Sequence, residues 1–166
     1  KMIYLEVENS YKSVAPKNEA KIILKELSSG IEKVVATTKS WNVQQGCMLQ
    51  WLGPDFNTKI IYNDFINEEL KSVILNIETR EKRILDFPIY DIDKKGENAL
   101  TLDFYRLHRL RPGYGYSNKE DITQKDKIPN GYCIWRIDVN NNTKIGIITY
   151  DQLIKIDHCE SMDGAE

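Results

Sequence analysis

The stretch Leu107–Tyr116 (Leu-His-Arg-Leu-Arg-Pro-Gly-Tyr-Gly-Tyr) concentrates more binding chemistry than any other part of this chain. His108, Arg109 and Arg111 suit an anion, because a guanidinium offers a two-pronged donor that matches a carboxylate or a phosphate. Tyr114 and Tyr116 carry flat faces able to stack on a sugar ring, and the glycines between them let a ligand approach the backbone. A second polar cluster, Trp41, Asn42, Gln44 and Gln45, precedes a short apolar run and brings amides that bind sugar hydroxyls or satisfy loop backbone groups. The alternative for both is structural, with the arginines paired to the chain's many carboxylates.

Other constellations are weaker. Asp91 and Asp93 flank Ile92, the pattern of a solvated strand end more than of a catalytic pair. His158, Cys159 and Glu160 are adjacent rather than set at zinc-ligand spacing. Phosphate loop, nucleophile elbow and dinucleotide fingerprint are all missing from the sequence. No cofactor is evident.

These residues need a scaffold, and composition bounds it. The chain has 166 residues, 23 basic and 25 acidic, for a net charge of −2. That length supports one domain with a real core. The charge balance argues against nucleic acid or an anionic membrane as a general partner. No apolar run approaches the ~20 residues needed to span a bilayer, and no signal-peptide pattern opens the chain. Three cysteines, Cys47, Cys133 and Cys159, without a CxxC pair favour reduced thiols and a cytoplasmic setting.

Read for periodicity, the chain is a succession of strands. Met2–Glu8 is followed by a loop over Ser13–Glu19 and a hairpin, Lys21–Leu27 with Lys33–Thr38. Cys47–Leu52, Lys59–Phe65, Lys71–Ile77 and Lys82–Phe87 come next, then a charged turn over Asp91–Asn98 centred on Gly96. Ala99–Tyr105 alternates, and by parity Arg106 and His108 extend its apolar face toward a rim. Asn118–Pro129 reads as a loop, Tyr132–Val139 and Lys144–Tyr150 as a last hairpin, and Asp151–Ile156 as one helical turn. Trp51 and Trp135 lie inside apolar strands and are expected in the core.

Three of the hairpins share one form: Ile22-Ile23-Leu24 with Lys33-Val34-Val35, Val73-Ile74-Leu75 with Arg83-Ile84-Leu85, and Cys133-Ile134-Trp135 with Lys144-Ile145-Gly146. They recur at roughly 50 to 60 residues, near the ~40–50 of four-stranded propeller blades. The expected fold is therefore all-β, a partial β-propeller of about three blades of four-stranded antiparallel sheet, spanning 1–40, 41–97 and 98–156 with a tail over 157–166. A single β-sandwich is the alternative.

The runs Ser40–Leu52 and Ile60–Asp64, with Leu107–Tyr116, resemble a group of bacterial β-propeller proteins distantly similar to oligogalacturonate lyases and to the periplasmic Tol-type propellers. The resemblance covers about Lys21 to Ile156 and implies a longer protein of more blades. In the lyases, histidines and a glutamine from several blades hold a divalent cation. That implies a cation, and any lyase-like activity, only in the longer protein, since neither His158 nor Gln45 matches a lyase motif here.

Two functions follow as expectations. One is a carbohydrate-related propeller that binds an acidic saccharide on Leu107–Tyr116 and Trp41–Gln45. The other is a non-catalytic scaffold for a protein partner. The first predicts a pocket exposing Arg109 or Arg111 beside a tyrosine; the second predicts a broad apolar patch. An open arc of blades also leaves edges uncovered, so self-association is expected.

Overall fold

The computed structural model describes residues 1–7 and 18–156. Three antiparallel sheets follow one another along the chain. The first holds β1 (Met2–Glu6), β2 (Ala20–Lys25) and β3 (Glu32–Thr38). The second holds β4 (Gln50–Trp51), β5 (Lys59–Ile66), β6 (Glu69–Asn76) and β7 (Lys82–Leu85). The third holds β8 (Asp91–Ile92), β9 (Asn98–Leu102), β10 (Tyr132–Asp138) and β11 (Thr143–Thr149). Within each sheet the strands lie in chain order, the meander of a propeller blade. The fold is all-β, and the third sheet begins at Asp91 rather than at 98.

Alternation builds the layers. Along β5 and β6 the pairs Ile60↔Leu75 and Tyr62↔Val73 point to one face, and Ile61↔Ile74 to the other. The first set joins Ile22, Leu24 and Val35 in a core between the first and second sheets. Ile61, Ile74 and Leu85 instead join Ala99, Phe104 and Ile137 in a second core, between the second and third sheets. The middle sheet is apolar on both faces, so the molecule has three layers and two cores. Each fully buried aliphatic side chain contributes about 1.5–3 kcal/mol relative to exposure.

The hairpin repeat is real at the level of single residues. Glu26 directly follows β2, and Asn76 and Asp138 end β6 and β10; the residue four further on from each (Gly30, Arg80, Asn142) takes a left-handed backbone with φ of 71°, 67° and 53°. In the second and third sheets that residue also reaches back to the preceding sheet. Arg80 donates to the Val35 carbonyl at 2.8 Å, and Asn142 Nδ2 donates to Asp86 Oδ2 at 2.7 Å. One turn geometry thus sets both the hairpin and the stacking of neighbouring sheets.

Two helices complete the described chain, α1 (Phe104–Leu110) and α2 (Tyr150–Leu153). α2 matches the expected helical turn and starts on a capping box from Thr149 and Gln152. α1 is a correction: the alternation through Leu102 does not continue as a strand to His108. Asp103 accepts the N–H groups of Tyr105 and Arg106, both at 3.0 Å, and this cap starts a helix. His108 and Arg109 lie in its last turn, where cations are favoured, and Pro112-Gly113 follow. Of the expected loop over 13–19 only Asn18 and Glu19 are described, and the His158–Glu160 stretch lies outside the described residues.

Candidate functional site

Three segments converge at one end of the sheets: the loop around Trp41–Gly46, the strand end Asn63–Asp64, and α1 with the chain that follows it. The Gln44 N–H donates to the Gly113 carbonyl at 3.2 Å, so the two stretches singled out in the sequence do meet. Thr38 Oγ1 donates to the Asn63 carbonyl at 2.7 Å, and the Lys39 N–H donates to Asp64 Oδ1 at 2.8 Å. Asn118 accepts from Ser40 Oγ at 3.2 Å and donates to the Lys39 carbonyl at 2.9 Å.

Most of the candidate ligand residues turn out to hold this end together. Tyr116 is buried, its ring stacked on Phe104 with centroids 4.7 Å apart, and its hydroxyl accepts from Asn63 Nδ2 at 2.9 Å. Burial pushes that phenol well above its ordinary range. It is a core residue, not a stacking platform. Trp41 is likewise buried, donating its indole N–H to the Asn18 carbonyl at 2.7 Å. Asn42 accepts from the Gln44 and Gln45 N–H groups at 3.1 and 2.6 Å, and Gln45 donates to the Tyr90 hydroxyl at 2.7 Å. Asn42 Nδ2 and Gln45 Oε1 are buried without a partner.

The arginines clamp the loop that returns from α1 to β10. Arg106 is buried and donates to Thr123 Oγ1 and to the carbonyls of Asp126 and Lys127, at 3.2, 3.2 and 2.9 Å. Arg109 Nε donates to Asp121 Oδ2 at 2.8 Å, and the Asp121 side chain is wholly buried. Burial alone would raise the Asp121 carboxyl, but hydrogen bonds from Thr123 and Arg109 outweigh it and hold the group below the usual carboxylate range. His108 Nδ1 lies 3.3 Å from the Tyr114 carbonyl. A carbonyl only accepts, so Nδ1 carries the proton in that contact. Arg111 alone among these cations remains exposed, its guanidinium 5.3 Å from the centre of the Tyr114 ring.

Asp91 and Asp93 both border a small pocket that Asn98 and Arg136 also line. Asp93 accepts from the Glu97 N–H and from Asn98 Nδ2, at 2.9 and 3.0 Å, and shapes the turn between β8 and β9. No group of three or more His, Cys, Asp or Glu able to hold a metal occurs among the described residues. Cys47 is buried, and burial pushes its thiol up to about 12.

Two features escaped the sequence reading. Asn63 is fully buried and bridges layers, accepting from the Ile89 N–H at 2.8 Å while donating to the Ile89 carbonyl and to Tyr116. An asparagine directly after the apolar run Ile60-Ile61-Tyr62 was its signal in the sequence. The other is a cleft of about 650 Å³ between the second and third sheets, bordered by Phe87, Thr101, Tyr105, Trp135 and Lys144. Trp135, expected in the core, lines it and is only half-buried. Trp51 is half-buried too, packed on the first core.

No protein-family profile matches the chain, and no curated protein matches it. Two solved structures are similar in fold at a low level. One is TolB from Acinetobacter baumannii, with a TM-score of 0.46 and 15% identity over 77% of this chain. The other is the AtxE2 isopeptidase in its apo form, with a TM-score of 0.44 and 8% identity over 86%. This chain spans 26% of the length of each. A Tol-type protein is thus among the structures similar to this chain, and no comparison names an oligogalacturonate lyase.

Proposed function

We propose that this chain is a non-catalytic β-propeller segment that acts as a protein-interaction module through the outer face of its third sheet. One observation carries the reading: that face leaves apolar side chains uncovered at positions where those of the second sheet are buried. Counted from the shared hairpin turns, Leu100 and Ile147 hold the places of Ile61 and Leu85. Leu100 and Ile147 are 43% and 42% exposed, whereas Ile61 and Leu85 are both 0% exposed. Leu100 and Ile145 flank Arg136 in one cross-strand row, and Ile145 is 50% exposed. Beside that row an apolar groove of about 390 Å³ runs between β9, β10 and the two helices, lined by Leu107, Leu110, Ile134, Leu153 and Ile154.

Among the described residues, the first sheet's outer face also exposes Met2 (41%) and Val34 (51%), but sets them among charged side chains. That face carries the ion pairs Lys21–Glu6 and Lys25–Glu32, at 3.1 and 2.8 Å, where a copy's apolar sheet would leave charges unsolvated. The occupant we assign is a second copy, seated third sheet to third sheet about a twofold axis. The row Asp91–Leu100–Arg136–Ile145 has one acid and one base, so such a copy can set Arg136 against Asp91 of the other. Light scattering across a concentration series is expected to show a dimer, and Leu100→Glu with Ile145→Glu a monomer of unchanged circular dichroism. A wild-type monomer at all concentrations sinks this reading.

The exposed Arg111 against Tyr114 supports a second reading, binding of an acidic saccharide on the α1 loop, with any enzymatic step belonging to a longer protein. Titration with uronic-acid oligosaccharides, with and without a divalent cation, is expected to give saturable binding that Arg111→Ala abolishes. Arg109→Ala is the wrong probe, since it also unties Asp121. Absence of binding to the wild type removes this reading and leaves the first untouched.

A further inference from the structure

The cleft between the second and third sheets is a place where the repeat changes character. In register with the turns, Thr101 on β9 holds the place of Tyr62 on β5. Tyr62 lies opposite Val73, and Thr101 lies opposite Trp135. Tyr62 is buried and fills the space between the first two sheets. A threonine in the equivalent place leaves the space between the second and third sheets open, and the cleft occupies it.

Two groups bordering that opening, the Thr101 hydroxyl and the Lys144 ammonium, keep capacity for a ligand. Thr101 is 3% exposed, and its hydroxyl has no hydrogen-bond partner. An orphaned buried hydroxyl is unfavourable unless something meets it. The Lys144 ammonium sits 4.7 Å from the centre of the Phe87 ring and 5.0 Å from that of Trp135, held by aromatic faces instead of a carboxylate. Desolvation lowers the pKa of this amine, so an added anion would relieve an unfavourable burial.

The acids around the cleft are mostly engaged elsewhere. Glu69 and Asp86 share Lys71, at 3.0 and 3.3 Å, and Asp103 caps α1 while its charge partly offsets the burial of Lys144. Glu68 stays exposed at the mouth, so the site tolerates one negative charge on its ligand rather than several.

We propose that this cleft binds a small monocarboxylate with a flat ring and a polar group at the opposite end. The carboxylate meets Lys144, the ring lies on Trp135, and the distal polar group satisfies the Thr101 hydroxyl. This site is separate from the outer face of the third sheet and stands or falls independently of it.

The test uses 4-hydroxyphenylacetate, its neutral amide and phenylacetate, followed by the indole N–H resonance of Trp135, assigned with Trp135→Phe. The acid is expected to give a saturable shift. The amide, and the acid against Lys144→Gln, are expected to bind at least about tenfold more weakly, the loss of one charge-assisted contact. Phenylacetate is expected to bind several-fold more weakly, and Thr101→Tyr to fill the cleft and abolish binding in a folded protein. Equal binding of acid and amide, wild-type affinity in Lys144→Gln, or no saturable shift overturns the proposal. If Thr101→Tyr does not fold, Lys144→Gln and the ligand series still decide it.

Discussion

Gly115→Ala is expected to lower stability by about 3 kcal/mol or more, read as a shift of the urea midpoint. Gly115 has φ of +63°, and a Cβ there would stand 2.2 Å from the Phe104 carbonyl oxygen and 2.6 Å from the His108 nitrogen. Neither backbone atom can move without breaking α1 or the Tyr116–Phe104 bond, in which the Tyr116 N–H donates to the same carbonyl at 3.1 Å. Left-handed backbone alone costs an alanine ~1–2 kcal/mol, and overpacking adds ~1–3 kcal/mol. Gly30→Ala is the control, because Gly30 has a similar φ of +71° and nothing within 4 Å of its Cβ position. It is expected to cost only the conformational part, ~1–2 kcal/mol. Equal losses in the two variants would refute the claim that the glycine exists to let the chain pass against α1.

Asp121→Ala is expected to cost about 3–5 kcal/mol, because it removes the buried carboxylate on which Arg109, Arg106 and Thr123 converge. Arg109 loses its 2.8 Å partner and Arg106 the more distant contact at 3.9 Å. The Thr123 N–H and hydroxyl, which donate to Asp121 Oδ1 at 2.7 and 2.6 Å, lose their acceptor as well. The loop over 117–130 is expected to lose amide-exchange protection before the second sheet does. The pH dependence follows from the direction of the carboxyl shift. The folded value is depressed, so the stabilisation is complete above the unfolded value of about 4 and is lost as pH falls through the folded one. The stability gap between wild type and Asp121→Asn is therefore expected to be full near neutrality and to shrink below about pH 4. A gap that stays constant into acid would show that the carboxylate charge is not what holds the arginines.

The strands were legible because each carries its own evidence. Ile60-Ile61-Tyr62 and Val73-Ile74-Leu75 are apolar on both faces, which fits the middle of three layers and not a one-sided sheet. The hairpin over Glu78–Glu81 was readable from its polar turn. Its left-handed Arg80 was not, since nothing in the residue type announces a positive φ. α1 was misread for a definable reason: period-2 parity carried past Asp103, although that residue, the basic last turn and Pro112-Gly113 are the start and stop signals of a helix.

The candidate site was legible in its chemistry and not in its allegiance. His108, Arg109, Arg111, Tyr114 and Tyr116 are residue types that bind ligands, and they are equally the types that satisfy a buried loop. Asp121 lies 12 positions beyond Arg109, inside a stretch that reads only as polar. Whether an arginine meets a ligand or that aspartate depends on how the loop folds back, which no local pattern encodes.

By itself the sequence determined the all-β class and the three related hairpins, because these rest on alternation, turn residues and repeat spacing. Only the tertiary structure decided that Tyr116 and Trp41 are core, that Arg106 and Arg109 are clamps, and that Thr101 opens a cleft where Tyr62 closes one. Those outcomes depend on burial and on partners distant in sequence. A side chain's hydrogen-bonding capacity belongs to its type, but which group uses that capacity is settled by what the fold brings within about 3 Å.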